Sequence, residues 1–173
     1  MKLNNLIFTA LAGFSIILAG CQNNDENEQH YENKLFISAS NFTKEILFKA
    51  GDTNVETGLS VAIAKPEEHD IKVTMSPAPE LLSTYKLAYY DETAVLLSEE
   101  HYSMPETSTT IKSGSIVSPE LPIEFINTGE LDIKTTYVLP VTIKSVEGIG
   151  VLQSAKTYYY VFRGASLINV VCN

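Results

Sequence analysis

No tryptophan occurs in the 173 residues of this chain, and cysteine, histidine and basic residues are scarce. Two cysteines, Cys21 and Cys172, are too few for a disulfide framework, so stability has to come from packing. Three histidines, His30, His69 and His101, lie far apart in sequence, and none belongs to a Cys/His cluster with zinc-ligand spacing. Against 21 Asp and Glu there are only 12 Lys and Arg, for a formal charge of −9. A chain this acidic, with no basic cluster, repels phosphate backbones, which excludes nucleic acid as a natural partner. Also missing are a Gly-x-Ser-x-Gly elbow, a phosphate-binding loop and a calcium loop. One long hydrophobic run exists, at the N-terminus; no other segment approaches the ~20 residues that a membrane-spanning helix needs.

That run extends from Leu6 to Ala19, about 14 residues, which is too short to span a bilayer. With Lys2 ahead of it and small residues at its end, it reads as a secretory signal. Leu18, Ala19 and Gly20 directly precede Cys21, an arrangement that resembles the bacterial lipoprotein box. The resemblance implies that residues 1–20 are a signal peptide and that Cys21 is acylated to become the first residue of the mature chain. Cys172 then has no intramolecular partner, and loss of Lys2 makes the chain one unit more negative. Residues 22–33 contain one aromatic and no aliphatic side chain, too little apolar surface to offset the entropy of ordering them. Residues 21–33 are therefore expected to be a lipidated cysteine with a disordered acidic tether, reaching on the order of 20 Å as a flexible coil. Asp25, Glu26 and Glu28 resemble the export signal that carries Bacteroidetes lipoproteins to the outer face of the outer membrane. Such a likeness implies a lipid-anchored protein facing the cell surface.

From Lys34 onward the hydrophobic pattern has period two. Leu59, Val61 and Ile63 alternate with small residues, as do Ile71, Val73 and Met75 with Lys72 and Thr74. Leu121, Ile123 and Phe125 continue the pattern, followed by Tyr137, Leu139, Val141 and Ile143; each is half-buried strand character. Shorter candidates are Leu35–Ser38 and Glu45–Lys49. Tyr158–Phe162 is apolar on both parities, as a strand covered on both faces would be. Turn chemistry separates the runs at Ala50-Gly51-Asp52, Ser113-Gly114, Asn127-Thr128-Gly129 and Glu147-Gly148-Ile149-Gly150. One segment departs from this rhythm: Pro79–Tyr89 sets Leu82, Tyr85 and Tyr89 at helical spacing behind a Pro-Glu start. The expected fold is all-β, an immunoglobulin-like antiparallel β-sandwich over residues 34–165, with one short helix crossing between strands or capping one end. Residues 166–173 form an apolar tail, read either as the start of a linker or as a short final strand.

Residues capable of chemistry are few. Glu67-Glu68 and Glu99-Glu100 supply paired carboxylates, as a glycosidase needs, but they fall in polar connectors, and neighbours on an extended chain point apart. His69 and His101 are expected to be solvated loop residues. Among the nine tyrosines, Tyr137, Tyr158 and Tyr160 are expected in the core. Tyr89 and Tyr90 at the helix exit and Tyr102 beyond the next loop are candidate glycan contacts, expected to line one end of the sandwich together. No catalytic residue, metal site or cofactor is assigned.

The middle of the chain resembles a known family. A short helix ending in Thr84-Tyr85 is followed by a Tyr-rich loop and by Val95-Leu96-Leu97-Ser98-Glu99-Glu100-His101-Tyr102. Then come Ile111-Lys112-Ser113-Gly114 with Ser118, the strand Leu121–Phe125, and Tyr137-Val138-Leu139-Pro140-Val141-Thr142-Ile143. This order is similar to the N-terminal domain of unknown function of Bacteroidetes surface lipoproteins, proteins of glycan-utilisation loci. Leu97-Ser98 stands where the family usually has Leu-Pro, a local loop change. Members commonly continue into a concanavalin-like sandwich or a glycoside hydrolase family 18 barrel, whose Asp/Glu signature is absent from this sequence. The family has no established catalytic residues to carry over. The resemblance implies a non-catalytic surface lipoprotein, an adaptor, spacer or glycan-binding module in complex-carbohydrate capture. Its partners would be outer-membrane lipid through Cys21 and a glycan or an outer-membrane importer. Two alternatives stand beside this: the N-terminal module of a larger surface endo-glycosidase, and a structural or fimbrial surface protein.

Overall fold

The alternating runs of the sequence form strands in the computed structural model, which describes residues 32–165, with Ile63 just beyond the end of its strand. Leu18, Ala19, Gly20, Cys21, His30, Cys172, most of the tether and the tail 166–173 lie outside the described residues. The strands are β1 (Lys34–Ile37), β2 (Thr43–Phe48), β3 (Val55–Leu59), β4 (Val61–Ala62) and β5 (Ile71–Pro77). Helix α1 (Leu82–Tyr89) follows, then β6 (Val95–Leu96), β7 (Tyr102–Ser103), β8 (Ser108–Ile111) and β9 (Leu121–Phe125). The order ends with β10 (Tyr137–Val146), β11 (Gly150–Val151) and β12 (Thr157–Gly164). Asn33, read from sequence as the last tether residue, belongs to the folded domain. Its amide donates to Lys65 O and Glu67 Oε1, and its side-chain carbonyl accepts the Ala64 and Lys65 N–H groups.

The main sheet runs β2-β12-β10-β5-β8 with β6 beside β10, and a second sheet, β3-β9-β7, faces it. A third, short sheet is β11-β1-β4. Pairing is mostly antiparallel, as the short polar turns require. Three pairings are parallel: β1 with β11, β2 with β12 and β6 with β10. In the first two an N-terminal strand joins a C-terminal one, so the rest of the chain serves as the crossover.

Inward residues of both sheets form one core. Ile71, Val73 and Met75 on β5, Leu121, Ile123 and Phe125 on β9, and Leu139, Val141 and Ile143 on β10 are all buried in it. Tyr158, Tyr160 and Phe162 enter it from β12, and Tyr137 packs against it. The run Leu59–Ile63 is cut at Ser60, where Leu59 ends β3 and Val61 begins β4 in a different sheet; all three apolar residues stay buried. The other parity of β12, Tyr159 and Val161, packs with Val138 of β10 beneath Tyr85 and Leu82 of α1. Helix α1 thus covers the outer face of the main sheet, which explains why Tyr158–Phe162 carries no polar face.

Pro140 occupies the middle of β10, with β12 on one side and the gap between β5 and β6 on the other. Its carbonyl accepts the Ala78 N–H at 2.9 Å, so its missing donor faces that same edge. There β5 has ended at Pro77 and β6 reaches only Val138, leaving no carbonyl deprived of a partner.

The Tyr160 ring is fully buried, and its hydroxyl lacks a hydrogen-bond partner. Burial pushes its phenol above the ordinary value of 10.0, an effect opposed only in part by nearby Thr57. Burial also raises Tyr85, Tyr89, Tyr102, Tyr158 and Tyr159. A phenol whose folded pKa exceeds its unfolded one favours folding fully below pH ~10 and loses that contribution as pH climbs from there towards the folded pKa. Thermal melts should therefore hold steady to about pH 10 and then fall. Tyr160→Phe removes an unsatisfied buried hydroxyl. It should raise stability at neutral pH by about 1 kcal/mol and shallow the alkaline fall; a loss of stability would mean that the hydroxyl has a partner.

Candidate functional site

Helix α1 is positioned by a 3-10 turn at Pro79–Leu81, where Pro79 needs no N–H partner and Glu80 complements the amide-rich end. It stops at Tyr90, which adopts the left-handed conformation with φ 54° and donates its N–H to Lys86 O. That reversal turns the chain towards β12. Asp91 follows, accepting from Thr93 Oγ1 at 3.1 Å, with Oδ2 3.7 Å from Arg163 Nη2. On its other side Arg163 lies 3.5 Å from Glu45 of β2. One guanidinium therefore sits between two carboxylates at long separations, with its side chain half exposed. Such a pairing adds little to stability and leaves donors and acceptors free to exchange partners.

Above this ion cluster lies an aromatic shelf. Tyr85 and Tyr89, one helical turn apart, stack with ring centroids 4.8 Å apart and planes inclined by 28°. Tyr159 meets Tyr85 at 5.4 Å and Tyr89 edge-on at 6.0 Å. Tyr85 is buried and Tyr89 is 41% exposed, so the Tyr89 ring is backed by Tyr85 and stays partly open to solvent. Tyr89 stands as a ridge between two grooves. One, of about 310 Å³, is lined by Phe42, Leu81, Thr84, Lys156 and Tyr159. The other, of about 210 Å³, is lined by Thr43, Glu45, Tyr85, Val161 and Arg163. Burial raises the phenols of Tyr85, Tyr89 and Tyr159, so all three stay neutral hydrogen-bonding groups at physiological pH.

Of the three candidate tyrosines, Tyr89 and Tyr90 lie at the helix exit, with Tyr90 92% exposed. Tyr102 does not join them. After β6 and the turn Glu99–His101 the chain has crossed to the second sheet, where Tyr102 pairs with Phe125 and packs on the central core. His101 also departs from its expected solvated setting. Its side chain is only 12% exposed and its Nδ1 lies 3.2 Å from Ile126 O, because the pairing of β7 with β9 draws the residue in. His69 is exposed, as expected. Glu67 is held by Asn33, and Glu99 and Glu100 are exposed on a 3-10 turn instead of an extended connector. Arg163, Glu45 and Phe42 carry no local signal of a site in the sequence. The helical spacing of Tyr85 and Tyr89 was visible there; the approach of Arg163 and Glu45 depends on the β2–β12 register.

A third groove, of about 480 Å³, lies on the outer face of β3 and β9. Glu56 and Glu124 stand opposite each other there, and the Glu120 side chain laps over Gly58. Asn54 Nδ2 donates to Glu124 at 2.7 Å. No aromatic side chain lines it. Among the described residues no group of three His, Cys, Asp or Glu side chains is placed to hold a metal ion.

A family model described as an "N-terminal domain" matches residues 31–150, which bears out the resemblance read from the sequence. No curated protein matches the chain in sequence. Several solved structures share the fold. A candidate carbohydrate-binding protein from Bacteroides ovatus aligns with a TM-score of 0.67 at 18% identity, over 75% of this chain and 36% of that one. EndoBT-3987 of Bacteroides thetaiotamicron, solved with a Man5GlcNAc product, aligns at 0.62 and 19% identity over 75% of this chain and 30% of its own. A multidomain protein from Bacteroides ovatus that includes a domain of unknown function aligns at 0.53 and 21%, over 73% and 42%. The chain thus spans less than half the length of each of these proteins, and the likeness shows a shared β-sandwich.

Proposed function

Because the chain belongs to this family of N-terminal domains, we propose that it is a non-catalytic module of a cell-surface lipoprotein that captures or positions complex carbohydrate. The carrying observation is the company this sandwich keeps: it makes up about a third of larger Bacteroides proteins, one a candidate carbohydrate-binding protein and one solved with a glycan product. The anchor is Cys21, and the acidic segment behind it spaces the domain from the outer membrane. With ~0.8 kcal/mol per buried methylene, two or more acyl chains make such an attachment effectively permanent. An outer-membrane importer or another carbohydrate-handling protein beside it is the natural partner.

Radiolabelled palmitate should enter the wild-type chain and be lost with Cys21→Ser, and externally added protease should remove the protein from intact cells. Label that persists in Cys21→Ser would overturn the anchor. A flat response across a broad panel of polysaccharides, with no importer gene alongside, would remove the carbohydrate role.

The likeness to EndoBT-3987 supports a second reading, in which this domain leads a larger surface endo-glycosidase. It requires a hydrolase reading frame directly continuous with Asn173. A stop codon followed by an unrelated gene would count against it.

A further inference from the structure

We propose that the Tyr89 ridge with the Glu45–Arg163–Asp91 cluster is a binding site for a neutral hexopyranose chain. The proposal rests on the carbohydrate role above and gives it a place and a ligand class. The partly exposed Tyr89 ring is preorganised: Tyr85 stacks behind it, Tyr159 fixes its edge, and both supports are buried against the main sheet. An aromatic face carries negative charge density and favours the polarised C–H groups on the apolar side of a pyranose over water. Little side-chain entropy remains to be lost when a sugar settles there.

The groove beside that face supplies the polar complement. Glu45 is an acceptor, Arg163 is a donor of fixed fork geometry held from behind by Asp91, and the Thr43 hydroxyl can serve as either. Because the ion pairs are long and partly exposed, a sugar hydroxyl can insert between Arg163 and Glu45 without the cost of breaking a tight bridge. Across the ridge, Thr84, Gln153 and Lys156 border the second groove, so a chain of more than one ring can pass over Tyr89 and contact both sides. Ligand charge is set by the same residues. Glu45 and Asp91 set two negative charges around the one positive charge of Arg163, and the whole chain is acidic, so uronates and sulfated glycans are repelled. The acidic groove on β3 and β9 offers no stacking face and is not part of this site.

Calorimetric titration of the full chain tests this with hexasaccharides of glucose, mannose and galactose, and with oligogalacturonate and chondroitin sulfate oligosaccharides. At least one neutral hexasaccharide should bind, with little dependence on salt. Tyr89→Ala should weaken it tenfold or more, Glu45→Gln severalfold, and Tyr102→Ala should leave it unchanged. Glu45 is half exposed, so its variant keeps the fold if Tyr89→Ala does not. A neutral glycan bound equally by wild type, Tyr89→Ala and Glu45→Gln would overturn the site while leaving the carbohydrate role standing. Preference for the acidic oligosaccharides would overturn the ligand class. Silence across the whole panel would overturn both.

Discussion

Phe125→Ala should destabilise the domain by about 3–5 kcal/mol, a large part of the 5–15 kcal/mol that holds a typical domain together. Phe125 is fully buried at the end of β9, the middle strand of the second sheet. Its ring meets Tyr160 at 5.1 Å and Phe162 at 4.6 Å, both near edge-on, and those two residues belong to the main sheet. The substitution therefore removes the bridge between the layers and leaves a cavity that strands on both sides are too constrained to fill. Phe125→Leu keeps much of the volume and should cost less than half as much. Urea unfolding read by tyrosine fluorescence, free of any tryptophan signal, measures both. A midpoint unchanged in the alanine variant would mean that the two sheets do not meet at this ring.

Gly129→Val should be the second most damaging change, by about 3 kcal/mol. The turns at Gly51-Asp52 and Gly129 dock backbone to backbone: Gly51 N–H donates to Gly129 O at 3.4 Å, and Gly129 N–H donates to Asp52 O at 3.1 Å. A Cβ at residue 129 would fall on the backbone nitrogens of Gly51 and Asp52. Main chain cannot rotate away as a side-chain tip can, so the turns must separate and both hydrogen bonds are lost. Thr128, buried beside this contact and donating to Thr53 O at 2.7 Å, would be pulled out with it. The melting temperature should fall by on the order of 10 °C. Gly114→Ala is the control: Gly114 has positive φ, unlike Gly129, but no atom lies near the added methyl, so its cost should stay near 1 kcal/mol.

Strand positions were legible because their signal is local. Ile71-Val73-Met75 and Leu121-Ile123-Phe125 announce a buried face by alternation alone, and Tyr158–Phe162 announces two covered faces by lacking it. Short strands β6, β7, β8 and β11 were not legible, since two to four residues carry too little pattern. Tyr102 shows the limit for the site. Its nearness to Tyr89 and Tyr90 in sequence suggested a common surface, yet β6 and the turn at Glu99–His101 carry it to the other sheet. Arg163 shows the converse: remote in sequence from Asp91 and Glu45, it meets both because β12 pairs in parallel with β2 and the helix exit folds back over them. Contacts set by register between distant strands have no signature in either segment alone.

The parallel pairing of β2 with β12, and of β1 with β11, also sets a timetable. β1 can pair early with β4, but β2 has no partner until β12 arrives, so loop closure over nearly the whole domain must precede its addition. Folding should be slow and all-or-none, and a nascent chain lacking residues 157–164 should stay protease-sensitive. For a protein proposed to be threaded through a membrane before it is anchored, such a delay would keep the chain translocation-competent until its final strand is free to dock.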